Sequence, residues 1–176
     1  MSASGQPFGR GIDSAQRSTR RLARRRIGDR LPELLLASWG FALSLAWEIA
    51  QTPLYADAGR GLTYLGWTRL HCAVGDVLIL MVAFWVTAGA FRDRFWIQER
   101  RPGAIALFVM SGLVYTIWSE WWNVAIARNW AYAEAMPTVF GIGVAPLLQW
   151  LVVPILAVTL VRRFRAPRDS QVTERS

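Results

Sequence analysis

Two carboxylates, Glu48 and Glu120, stand near the ends of long apolar segments, where an ionisable side chain is costly. Insertion measurements place a central Asp at about 2.5 to 3.5 kcal/mol, because lipid supplies no water to solvate the charge. An amide follows each carboxylate three residues later, at Gln51 and Asn123. Polar groups of this kind in an apolar segment need a partner or a function, so they are the first candidates for chemistry.

The residues that lead to each carboxylate follow the same pattern. The two copies are offset by 72 residues and read Gly40, Ser44, Glu48, Gln51 and Gly112, Thr116, Glu120, Asn123. Steps of four, four and three residues keep such positions on one face of an α-helix. A polar stripe that occurs twice in the same order indicates duplication of a two-helix unit, with parallel copies and both carboxylates at one depth.

Two more ionisable groups, His71 and Asp76, belong to another apolar segment, and Gln149 belongs to the last one. His71 and Asp76 are five residues apart, which is about 140° around a helix, so they would flank a site from neighbouring walls. We predict Glu48 and Glu120 as the acid/base pair of a catalytic site, assisted by His71 or Asp76. Amides and indoles near them are predicted to bind the substrate: Gln51, Asn123, Gln149, Trp118, Trp121 and Trp122.

Carboxylates that face each other at low dielectric do not both ionise readily, so we expect a shared proton or a cation between them. If that cation is a metal, Glu48, Glu120 and His71 are its expected ligands. The sequence names no cofactor. Cys72 is alone in the chain, which excludes an intramolecular disulfide and a zinc site built from cysteines, and a single His excludes paired-His haem ligation.

The composition indicates how these side chains are positioned. Hydrophobic residues make up 53% of the 176 residues, yet 18% are charged. The apolar residues are concentrated in four runs of about 20 residues that contain few or no basic residues, each long enough to cross a hydrocarbon core of about 30 Å: 34–52, 70–91, 103–127 and 140–161. We predict an all-α, polytopic membrane protein with four transmembrane helices in residues 31–162, between an Arg-rich arm at 1–30 and a basic tail at 163–176.

The basic residues predict the orientation. All twenty are Arg, and seventeen lie before the first run, between the second and third, or after the fourth; only Arg60, Arg69 and Arg128 lie in the other connections. By the positive-inside rule, both termini are predicted to be cytoplasmic, in a cell inner membrane. The net charge of +8 is then a signal of topology and of anionic lipids. No nucleic-acid motif accompanies the Arg runs, so nucleic acid is not an expected partner.

With this topology, the polar residues of all four segments fall in the outer part of the membrane. We therefore expect an outward-facing pocket that binds or transforms a lipophilic small molecule by acid/base chemistry. Two alternatives stay open: an accessory subunit that holds a quinone, pigment, lipid or ion, and a proton or ion pathway. No nucleophile elbow, HExxH or phosphate loop decides whether the chain is an enzyme. Expected partners are membrane lipids, with a homodimer or a larger membrane complex as further options.

Overall fold

The computed structural model describes residues 31–164, so the predicted arm at 1–30 and the tail from residue 165 onward lie outside the described residues. Within residues 31–164 the chain forms four long α-helices. They are α1 (Pro32–Gln51), α2 (Leu62–Phe91), α3 (Pro102–Trp121) and α4 (Val144–Arg163). A 3-10 turn (Thr52–Leu54) extends α1, and a π-helical turn (Trp122–Ile126) extends α3.

Each of the four helices is long and apolar enough to cross a membrane, as predicted. These helices therefore indicate a multi-pass membrane protein. Two starting points differ from the prediction. The helix predicted from residue 70 already begins at Leu62, because the polar residues of its first two turns lower the hydropathy without breaking the helix. The helix predicted from residue 140 begins at Val144, because a small hairpin precedes it.

That hairpin pairs β1 (Thr138–Val139) with β2 (Ile142–Gly143) in antiparallel register. Its two-residue turn has positive φ at both positions, 51° at Phe140 and 80° at Gly141. A turn of this type matches the twist of antiparallel strands, and glycine adopts its second position without strain. The hairpin directs the chain from the loop after α3 into α4.

The helices form a ring in which α1 and α3 each pack against both α2 and α4. Short connections at residues 92–101 and 55–61 require α2 to run antiparallel to its neighbours. One end of the bundle therefore holds the ends of α1 and α3 and the starts of α2 and α4. We call this the cavity end. The core near the other end is apolar and includes Leu36, Leu80, Phe84, Trp96, Phe108 and Ala157.

The stripe positions of α1 and α3 are the buried faces of those helices. Their buried residues recur every fourth position, at Pro32, Leu36, Gly40, Ser44 and Glu48 in α1 and at Ala104, Phe108, Gly112, Thr116 and Glu120 in α3. The glycines permit close packing of neighbouring helices, as small residues do in membrane proteins. A Cβ at Gly40 would lie 2.8 Å from Leu80, and one at Gly112 would lie 2.0 Å from the ring of Trp150.

Candidate functional site

A cavity of about 560 Å³ lies at the cavity end and is lined by residues from all four helices and from the loops that join them. Six of the ten predicted site residues line it: Glu48, Gln51, His71, Asp76, Glu120 and Gln149. Glu48, Gln51, Glu120 and Gln149 are buried, Asp76 is partly buried, and His71 is exposed. The structure thus brings together the polar residues of segments that are distant in sequence.

Glu48 is held by the amide of Gln51, one turn later in α1. Gln51 Nε2 donates to Glu48 Oε1 at 2.7 Å, and Trp47 Nε1 donates to Gln51 Oε1 at 3.1 Å. The spacings of three and four residues place these groups side by side on the helix, so the local sequence suffices to orient them. The indole fixes which end of the Gln51 amide faces the carboxylate.

Asp76 of α2 is held from across the bundle by Gln149 of α4. Gln149 Nε2 donates to Asp76 Oδ2 at 2.5 Å, and Gln149 Oε1 lies 3.5 Å from Gln51 Nε2. The two amides therefore form a chain of hydrogen bonds that connects Asp76 to Glu48 through α4. This arrangement links two carboxylates from different helices through two neutral amides.

Glu120 of α3 receives its hydrogen bonds from the loop between α3 and α4. Tyr132 Oη donates to Glu120 Oε2 at 2.5 Å, and Trp130 Nε1 donates to the same oxygen at 3.4 Å. Burial and the hydrogen bond to Glu120 raise the pKa of the Tyr132 phenol above its ordinary value. The phenol therefore keeps its proton and remains a donor.

Arg69, at the start of α2, is a member of the site that the sequence did not indicate. It is only 5% exposed, and its guanidinium pairs with Asp57 Oδ1 at 2.5 Å and with Glu48 Oε2 at 3.8 Å. The guanidinium carbon also lies 5.1 Å from the centre of the Tyr55 ring. The two carboxylates of the predicted pair are therefore unlike: Glu48 has a cationic partner, and Glu120 has a phenol and an indole.

The loops above the cavity are joined by their backbones. Tyr55 and Tyr132 form an isolated antiparallel bridge, in which Ala56 N–H donates to Ala131 O and Ala133 N–H donates to Leu54 O, both at 2.9 Å. The rings of Tyr55 and Tyr132 lie 5.8 Å apart. This bridge fixes the position from which Tyr132 reaches Glu120. Sequence periodicity carries no signal for it, because the paired residues lie in irregular loops.

Four predicted binding residues do not line the cavity. Trp118, Trp121 and Trp122 are about half exposed on the outside of α3, where the rings of Trp118 and Trp122 stack at 6.2 Å. They are one or two residues from Glu120 and so point away from its face of the helix. Asn123 lies on the π-helical turn and donates to Ser119 O at 2.8 Å. The indoles that do line the cavity are Trp130 and Trp150.

The expected metal ligands do not meet as a cluster. Within residues 31–164, no group of three or more His, Cys, Asp and Glu side chains has a geometry that could hold a metal ion. Glu48 is engaged by Arg69 and Gln51, and Glu120 by the loop phenol. Cys72 also lines the cavity and is partly buried.

The cavity can bind a ligand through carboxylates whose orientation is fixed, and such carboxylates can accept or donate a proton. Asp76 and Glu120 are held by neutral donors, while Glu48 is paired with a cation. Neighbouring carboxylates in different environments can take different roles in proton transfer. Comparison of the chain with protein-family models, with curated proteins and with solved structures finds no match.

Proposed function

We propose that this protein is an integral membrane protein whose cavity binds a lipophilic small molecule and transforms it by acid/base chemistry. One observation carries the proposal: Glu48, Asp76 and Glu120, from three helices, line a single cavity and are each held by their own hydrogen-bond donors. Ionisable side chains inside a membrane segment are expensive, and they commonly mark ligand or proton sites.

The roles follow from the partners of each carboxylate. Glu120 accepts hydrogen bonds from Tyr132 and Trp130 on one oxygen and is the proposed group that takes up and returns a proton. Asp76 is the proposed second acid/base group. Glu48 is a positioning residue, because it lies beside Arg69 and accepts a hydrogen bond from Gln51, whose amide also faces Gln149. The exposed His71 at the rim would exchange protons between the cavity and the outside.

The proposal includes an orientation and an origin. The cavity faces the outer side of a cell inner membrane, and both termini lie in the cytoplasm; the support is the excess of Arg at the opposite side.

The chain arose by parallel duplication of a two-helix unit. The support for this is the buried pattern of α1, which recurs in α3 at an offset of 72 residues from Pro32 and Ala104 to Glu48 and Glu120.

A second candidate, an accessory subunit of a membrane complex, is favoured by the outer face of α3. Tyr115, Trp118 and Trp122 are exposed there in a row, with Tyr115 and Trp118 rings 5.5 Å apart. Such a surface suits contact with another membrane protein as well as with lipid. A proton pathway has less support, because apolar side chains such as Leu80, Phe84 and Phe108 fill the core beyond the cavity.

Native mass spectrometry tests the proposed function. The wild-type protein, purified in a mild detergent, is compared with an Asp76→Asn/Glu120→Gln variant after incubation with a total lipid extract. We expect a defined small-molecule adduct on the wild type, absent from the folded variant, and a change in its mass with time if the molecule is transformed. Glu99→Gln is the matched control, because Glu99 is exposed in the loop at the other end, beside Arg101. An adduct that persists on the folded double variant would contradict the proposal.

A further inference from the structure

Thr116 differs from five other helical hydroxyls within residues 31–164. These five donate to the carbonyl four residues earlier, as helical hydroxyls commonly do: Ser38, Thr52, Thr87, Ser111 and Thr159. Thr116 Oγ1 has no hydrogen-bond partner within residues 31–164, although Thr116 is only 6% exposed. A buried hydroxyl without a hydrogen-bond partner costs free energy. We therefore infer that a bound ligand supplies the missing partner of Thr116.

The position of Thr116 connects it to the carboxylates. It lies one helical turn before Glu120 on the buried face of α3, and both line the cavity. A ligand atom held by Glu120 is therefore within reach of the Thr116 hydroxyl. Asp76 lines the same cavity from α2.

The charges of the cavity are not balanced. Arg69 pairs with Glu48 and Asp57, and Arg60 lies over the exposed ring of Tyr64 at 4.5 Å. Asp76 and Glu120 make no ion pair within the part of the chain that the structure describes. Their partners are the neutral groups of Gln149 and Ser44 at Asp76 and of Tyr132 and Trp130 at Glu120. These two carboxylates are therefore open to a cation.

On the side of α2 and α3, the cavity is lined by residues that are also exposed on the outside of the bundle. In the first half of α2, only Arg69 and Ala73 are buried. Gly75, Leu78 and Tyr115 line the cavity, and Leu78 and Tyr115 are 63% and 45% exposed on the outside of the bundle. An alkyl chain can therefore extend from the carboxylates to the lipid between these helices.

We propose that the ligand is a lipophilic primary amine, whose ammonium group is bound by Asp76, Glu120 and the hydroxyl of Thr116. A primary ammonium has three N–H donors and no acceptor, which matches these three acceptors in number and kind. Trp150 also lines the cavity, and an indole favours a cation near its ring. This inference rests on the proposed function and specifies its ligand.

The test uses four probes with the same chain: decylamine, decyltrimethylammonium, decanol and decanoate. Their binding to the full-length protein in a non-ionic detergent is followed by native mass spectrometry and by thermal unfolding. We expect decylamine to bind most tightly. Decyltrimethylammonium should bind more weakly because it lacks N–H donors, and decanol should bind more weakly because it lacks the positive charge. Decanoate is the informative competitor, because Arg69 Nε is a buried donor without a partner within residues 31–164 and would favour an anion.

Three substitutions locate the binding. Thr116→Val keeps the shape of the side chain but removes its hydroxyl. We expect it to weaken decylamine binding about tenfold, because the loss of one hydrogen bond to a charged group changes the affinity by about this factor. Glu120→Gln should weaken it further, and Thr159→Val, which changes an exposed hydroxyl of α4, should not affect it. If Thr116→Val does not fold, Thr116→Ser and Thr116→Ala provide the same comparison, because only Ser retains the hydroxyl.

The outcomes separate the two proposals. Equal binding of decanol and decylamine, preferred binding of decanoate, or decylamine binding that is unchanged in both Thr116→Val and Glu120→Gln would overturn the amine assignment. If another probe binds and Glu120→Gln weakens its binding, the cavity still takes a lipophilic ligand and the proposed function stands. If the wild type binds no probe, the amine assignment fails, and the lipid-extract experiment then decides the proposed function.

Discussion

The phenol of Tyr132 donates a hydrogen bond to Glu120 Oε2 at 2.5 Å, although the two residues belong to different parts of the fold. Glu120 lies in the last turn of α3, whereas Tyr132 lies in a loop that is paired with the loop after α1. The carboxylate is therefore oriented by a connection that the helix packing alone would not supply. The same contact provides the first prediction.

Replacing Tyr132 by Phe should destabilise the folded protein by about 1 to 3 kcal/mol, because Glu120 loses its closest donor while it stays buried. Unfolding followed by circular dichroism in detergent measures the change. Tyr64→Phe is the matched control, since Tyr64 is exposed at the rim and its ring can still contact Arg60. Equal stability of the Tyr132→Phe variant and the control would contradict the assigned hydrogen bond.

Gly112→Ala should destabilise the bundle by about 1 to 3 kcal/mol and reduce the cavity. The added Cβ would lie 2.0 Å from the ring of Trp150, so the ring must move or α3 and α4 must separate. Trp150 lines the cavity, and its displacement should also weaken ligand binding. Gly66→Ala, in α2, adds a methyl group that meets nothing within 4 Å and should leave both properties unchanged or improve stability slightly.

Arg69→Gln should be among the most destabilising substitutions at the cavity, at about 3 to 5 kcal/mol, because it leaves Glu48 buried without its cation. A double-mutant cycle with Glu48→Gln measures the coupling, which should be about 0.5 to 3 kcal/mol. Additive effects of the two substitutions would mean that the ion pair contributes nothing. The same cycle with Asp57→Asn reports on the shorter contact of Arg69.

The phenols of Tyr55 and Tyr132 should make the folded state less stable at alkaline pH. Burial raises the pKa of both above the ordinary value of 10.0. The unfolded chain therefore loses these protons first as the pH rises, and the stability present below about pH 10 is progressively lost above it. Unfolding measured between about pH 9 and 11 should give a smaller slope for Tyr55→Phe than for the wild type. An unchanged slope would contradict the pKa shift.

The proposed orientation can be measured by labelling single cysteines in a Cys72→Ala background. Phe140 is 100% exposed at the turn of the hairpin next to the cavity end, and Glu99 is exposed in the loop at the other end. Phe140→Cys should react with a membrane-impermeant maleimide in intact cells, and Glu99→Cys only after permeabilisation. The reverse pattern would place the cavity in the cytoplasm.

Sequence reasoning predicts what depends on helical periodicity. The four helices and the buried faces of α1 and α3 follow from runs of apolar residues and from steps of three and four residues. Trp118 and Trp122, expected to form cavity walls, do not line this cavity, because residues two positions from Glu120 point to the other side of the helix. Periodicity applied to those positions would have predicted their exposure.

The remaining parts of the site depend on contacts between distant loops. Trp130 and Tyr132 reach Glu120 only because their loop pairs with the backbone at Tyr55. Arg69 looks like a residue of the connection in the sequence, but α2 begins before it and Asp57 and Glu48 surround it. A single sequence carries no periodic signal for such pairs, so the structure is needed to find them.

The backbone bridge between Tyr55 and Tyr132 has a mechanical consequence. It ties the segment after α1 to the segment after α3, which are the helices that carry Glu48 and Glu120. The two loops are therefore joined at the cavity end, whereas in the first half of α2 only Arg69 and Ala73 are buried. Glu48 and Glu120 thus belong to helices whose following segments are tied together, whereas Asp76 belongs to a helix outside that tie.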